Sequence, residues 1–211
     1  MAFSLYDASV ATFLQTLGAV SGYLDKGLAH FKEKGINPDD IVETRLFPDM
    51  LPFRFQIVSV AHHSRGAIDA VQKGVFSPDM GKPDLNYAAL QAMVTEAREK
   101  LSAITPDTIN GLVGRDCAFQ FGERKLPFTV EEFLMSFSMP NFFFHATTAY
   151  DILRQKGVPL GKRDFMGRLR MKSYSSALKI PAPRRRCADR RRLRTCRRHC
   201  ARWRRRGPWS M

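Results

Sequence analysis

Two histidines have the type and spacing to do chemistry. His63 falls at the edge of an apolar helical stripe, seven residues after Gln56, while His145 shares a helix face with Asn141 and Thr148. Neutral imidazoles brought together from two antiparallel helices can hold a divalent metal such as Zn or Ni, or line a polar pocket. A catalytic zinc takes three protein ligands. After His63 and His145 the third place falls to Asn141, to Asp49 or to a residue that spacing does not single out, and a carboxamide is a poor ligand for such metals. The competing reading has both histidines buried and hydrogen-bonded to neighbouring polar groups. The candidate pocket is therefore Gln56, His63, Asn141, Phe144, His145 and Thr148, with His63 and His145 as candidate metal ligands.

Other residues carry weaker signals. His62 points nearly opposite to His63 on a helix and is expected in solvent, and Phe142 to Phe144 either line an apolar pocket or fill the core. Cys117 lacks a placed histidine partner and reads as a packing residue. No G-x-G-x-x-G, P-loop or G-x-S-x-G motif occurs, so nucleotide-binding and hydrolase readings have no motif behind them.

Four amphipathic segments must position these side chains. The first runs from Ser4 to Lys34, with Phe13, Leu17, Val20, Leu24 and Phe31 at helical spacing, a Ser4-x-x-Asp7 start and a Gly35 stop. Pro48 to Pro52 reads as a turn into the second helix, whose inner stripe is Phe53, Ile57, Val60, Ala61, Ser64, Ile68 and Val71. Residues 74–83 read as a surface loop, and Asp84 as the cap of a third helix ending before Pro106. Cys117 to Phe128 then reads as a β-hairpin turning at Gly122-Glu123, with Pro127 on an edge strand. Thr129 and Glu132 form a capping box for the fourth helix, which is apolar on two sides, one of them Phe133, Phe137, Phe144 and Ile152.

Charge divides the chain. Arg168 to Met211 holds 17 of the 34 Lys and Arg residues against Asp189 alone, which leaves Met1 to Gly167 near −2 within a total of +14. A nucleic-acid partner is therefore an expectation of the tail and not of the body. The tail, rich in Arg with Ala, Cys, Trp and Pro, is expected to be disordered on its own and reads either as a basic arm or as a frameshift or readthrough product. Its Cys187, Cys196, His199 and Cys200 match no usual zinc finger spacing. The opening residues lack a secretion signal and no apolar run is long enough to span a membrane, so a cytoplasmic protein is expected. The single cysteine of the body fits that setting.

Ser4 to Val10, Arg45 to Met50, Pro140 to Tyr150 and Gly157 to Phe165 together resemble an uncharacterised bacterial family of unknown function, similar in architecture to the DinB/YfiT-like bundles. The resemblance covers residues 1–167. It implies an antiparallel four-helix bundle with a small hairpin before the last helix, often a homodimer, in a superfamily that includes metal-dependent thiol transferases. Metal-holding members carry one histidine on helix two and an H-x-x-x-H pair on helix four. His63 and His145 match two of these positions, and Asn141 stands at the third. The expectation is an all-α, DinB-like domain over residues 1–167 that binds a small molecule or a partner in a pocket between helices two and four. A metal-dependent transferase and nucleic-acid binding through residues 168–211 are the alternatives.

Overall fold

A computed structural model describes residues 3–79 and 84–171. The fold below belongs to the unit Met1–Arg170; the second unit, Met171–Met211, with the tail's expected disorder and its cysteine cluster, lies outside the described residues apart from Met171.

The Ser4–Asp7 box forms as its spacing predicts, but the helix behind it is not continuous. A four-residue α1 (Leu5–Ala8) ends at Ser9, and α2 (Val10–Lys34) runs from there to a left-handed Gly35. A 3-10 turn (Pro38–Ile41) leads towards α3 (Phe53–Ala61), where Pro52 stands as the cap just ahead of the first helical residue. A π-helical turn (His62–Gly66) joins α3 to α4 (Ala67–Lys73), and the seven residues of the expected inner stripe are all buried.

The expected loop at residues 74–83 instead contains β1 (Val75–Phe76). Next come α5 (Tyr87–Ser102), capped by Asn86 and not by Asp84, and the short α6 (Pro106–Asn110). Strands β2 (Asp116–Phe121) and β3 (Arg124–Thr129) form the predicted hairpin, with Gly122 supplying the positive φ of its turn. Pro127 sits on the outer strand, where its missing N–H costs no ladder bond. The all-α expectation is thereby corrected to a mostly helical fold with a small three-stranded sheet. β1 pairs parallel to β2, Phe76 opposite Phe119, while β2 pairs antiparallel to β3. Two residues of β1 carry no alternation, which is why their composition reads as loop.

The Thr129–Glu132 box opens α7 (Val130–Glu132), followed by a second π turn (Phe133–Ser138), α8 (Met139–Gln155) and a closing α9 (Lys162–Met166). Pro140 lies in the first turn of α8, so the departure from α-geometry falls ahead of the proline, where its missing donor is accommodated. This turn also resets the inward face. Buried positions recur at Val130, Leu134, Ser138, Phe142 and Ala146, every four residues, because an i→i+5 turn takes more than 3.6 residues. Phe144, expected inside, is 56% exposed, and Phe142 is fully buried in its stead.

Packing centres on α2 against α5 and on α3 against α8. Phe13 meets Phe142 edge-on at 4.9 Å, and Phe53 stacks on Tyr87 at 6.0 Å. The buried phenols have partners: Tyr23 donates to the Ala146 carbonyl at 3.1 Å and Tyr87 to the Leu24 carbonyl at 2.9 Å. No helix among the described residues is long and apolar enough to cross a membrane.

Candidate functional site

The two π turns lie against each other, and the candidate site is built on that contact. The Ser138 hydroxyl donates to the His63 carbonyl at 2.8 Å, and Ser64 donates to the Val60 carbonyl at 2.6 Å. Side chains thus satisfy carbonyls where the regular helical ladder is interrupted. The sheet packs onto the same place: Phe76 approaches Phe133 at 5.2 Å, and Phe119 approaches Phe137 at 4.9 Å.

His63 and His145 come together as the spacing predicts, with ring centres 5.9 Å apart and planes 17° from parallel. Gln56 orients one of them. Its amide nitrogen donates to the Leu51 carbonyl at 2.7 Å, which can only accept, so its oxygen is the atom 2.8 Å from His145 Nδ1. Nδ1 must then carry the proton, and Nε2 of His145 keeps its lone pair. His63 is different. Its Nδ1 is buried and has no hydrogen-bond partner, while its ring rests against Phe76 and Phe137 at 5.2 and 5.8 Å. Burial pushes the His63 imidazole down to about 3, helped by the neighbouring His62 and His145, and pushes His145 down to about 4. Both rings are neutral at pH 7.

The other candidates divide. Asn141 turns to its own helix, donating to the Phe137 carbonyl at 2.7 Å beside the Pro140 break, and Thr148 likewise donates to the Phe144 carbonyl at 2.8 Å. These bonds serve α8. Phe144 touches the edge of His145 at 5.2 Å from its exposed position. His62, expected in solvent, is half-buried: it stacks on Phe76 at 4.2 Å, and its Nε2 meets the Ser77 carbonyl at 2.7 Å. The π turn swings it onto β1. Leu51, Phe55, Phe76 and Phe137 complete the surroundings; sequence placed Phe137 on an apolar side of the fourth helix and singled out none of the other three, the Pro-bounded turn before α3 being the one signal for Leu51. Cys117 is buried in β2, as a packing residue should be.

The donor set falls short of the metal site that the sequence resemblance implies. Two imidazoles are present, the third position holds a carboxamide whose nitrogen is engaged, and among the described residues no three His, Cys, Asp or Glu side chains gather to hold an ion. The residues present do not fit a catalytic zinc.

The fold has a solved counterpart. A DinB family member from Shewanella denitrificans, known from its crystal structure, superposes with a TM-score of 0.66 at 24% identity, over 81% of this chain and 96% of that one. At that identity the likeness speaks for the fold alone. No curated protein matches the chain. A family-level comparison matches residues 5–166 to a domain of unknown function, DUF1993. Most of the chain is thereby covered, and it belongs to the DUF1993 family.

Proposed function

We propose that residues 1–167, as an antiparallel four-helix bundle with its small sheet, bind a small molecule at the His63, His145 and Gln56 site without catalysing a reaction. The carrying observation is the pair of free imidazole nitrogens: the buried, unpartnered Nδ1 of His63 and the lone pair left on His145 Nε2 by the Gln56 bond. A buried imidazole nitrogen without a partner carries a desolvation cost of about 1–3 kcal/mol, which a ligand's hydrogen-bonding group would offset, and the His145 Nε2 lone pair would accept from a ligand N–H or O–H. The ligand class is thus a small, neutral hydrogen-bond donor with an apolar side to meet Phe76, Phe137 and Phe144.

A thermal-shift screen of neutral amides, alcohols and heteroaromatic amines tests this. Compounds that raise the melting midpoint of the wild-type chain and of neither His63→Phe nor His145→Phe support it; a screen in which no stabiliser depends on the two histidines sinks it. Elemental analysis of the same preparations reads the alternative. One equivalent of zinc or nickel, lost in both variants, would replace this proposal with the metal-dependent transferase. The further proposals are a second copy of the chain as partner, for sedimentation to test, and a cytoplasmic location.

A further inference from the structure

A cleft of about 500 Å³ opens between the first half of α2, the C-terminal half of α5 and the segment following α9, and shares no residue with the histidine site. Its floor on α2 is Ala11, Leu14 and Gly18. Three guanidinium groups, those of Arg98, Arg168 and Arg170, line it, and among the described residues no acidic side chain does. Arg170 is partly engaged: it donates to the Asp7 carbonyl and to the Thr12 hydroxyl, both at 3.2 Å, and lies close enough to the Asp7 carboxylate to help hold that acid below the usual range. Asp7 itself is tied first to Ser4. Arg98 and Arg168 form no side-chain hydrogen bond or ion pair among the described residues.

Two glycines shape this place. A Cβ on Gly18 would meet nothing within 4 Å, so a residue that weakens the middle of α2 leaves the floor of the cleft open. Gly167 has a φ of +62°, and a Cβ there would press on Ala19 at 3.1 Å and on the Gln15 carbonyl at 3.2 Å. Its absence lets the backbone lie against α2, where Gln15 donates to the Met166 carbonyl at 3.1 Å, and so delivers Arg168 and Arg170 to the rim.

We propose that this cleft binds a phosphate monoester carrying an apolar body. Guanidinium forks match phosphate oxygens in pairs, and a monoester carries about −1.5 to −2 charge at pH 7, which suits three cations better than a single carboxylate does. The volume lies within the usual range of small-ligand sites, and the Ala11, Leu14 and Gly18 floor takes the apolar part.

Calorimetric titration of the full chain with phenyl phosphate, and separately with inorganic phosphate, tests the proposal alongside Arg98→Gln and Gly18→Leu. Arg98 is exposed and Gly18 faces open space, so both variants are expected to keep the wild-type helical circular dichroism. One equivalent of phenyl phosphate should bind more tightly than inorganic phosphate. Arg98→Gln should weaken it about tenfold or more, the loss expected for one charge-assisted bond, and Gly18→Leu should block it by filling the floor. Equal binding by wild type and both variants would put the anion on other cations of this basic chain and overturn the proposal. Absence of saturable binding, or inorganic phosphate binding as tightly as phenyl phosphate, would overturn it as well.

Discussion

Gln56 is the residue on which the imidazole geometry depends. It is buried, and its amide spends both ends, one on the Leu51 carbonyl and one on His145 Nδ1. Gln56→Leu keeps the volume roughly and strands both partners, so it should lower stability by about 1–3 kcal/mol in urea titration. The histidines themselves make a pH prediction. Their folded values, about 3 and about 4, lie below the unfolded value of 6.5, so the fold favours the neutral rings. That contribution is fully present above pH 6.5 and is lost as pH falls through about 4 and then about 3. The melting midpoint of wild type should drop from pH 6.5 to 4 more steeply than that of a His63→Phe, His145→Phe double variant, which lacks the contribution of these two imidazoles and keeps every other titrating group. Residue types and spacing made His63, His145 and Gln56 legible. They could not show that Asn141 and Thr148 would bond to their own helix, since a polar side chain on an inner face looks the same whether it faces a pocket or a carbonyl.

At the scale of elements, α2 and α5 approach closely at one point. A Cβ on Gly27 would sit 2.6 Å from the Tyr87 hydroxyl, the group that donates to the Leu24 carbonyl. Gly27→Ala must displace Tyr87, which is stacked on Phe53, and the gain in helix propensity is too small to offset a lost buried hydrogen bond and overpacking. A loss of about 1–3 kcal/mol is expected by denaturant unfolding, and Gly27→Ala with Tyr87→Phe should lose less than the separate effects sum to. Helix positions, both capping boxes and the hairpin could be read from the sequence because each rests on local periodicity or on a cap three residues from its partner. The π turns could not. His62–Gly66 and Phe133–Ser138 meet where Ser138 donates to the His63 carbonyl, 75 residues away in sequence, and no local periodicity marks either turn; past the second, Phe142 lies inside and Phe144 out.

Across the whole molecule, the charge changes near Gly167, where the family match also ends. Family membership covers residues 5–166, and α9 closes the described helices at Met166. A chain ending at Arg170 should therefore keep the helical circular dichroism and the melting midpoint of the full chain to within a few degrees. If the basic segment is a nucleic-acid arm, the full chain should bind duplex DNA with an affinity that falls steeply with salt, and the shortened chain should not. The parallel pairing of β1 with β2 has a kinetic meaning. Val75 and Ala118 are neighbours only after α5 and α6 have been laid down between them, and closing that loop is slow beside the local i→i+4 bonds within α2 and α5. In pulse-labelled hydrogen exchange, amides in the interior of α2 and α5 should gain protection before the Ala118 amide, which donates to the Gly74 carbonyl; simultaneous protection would rule this order out. Phe76 belongs to that strand and is also the ring on which His62 and His63 rest, so the candidate site can take its final shape only once the β1–β2 pairing has closed.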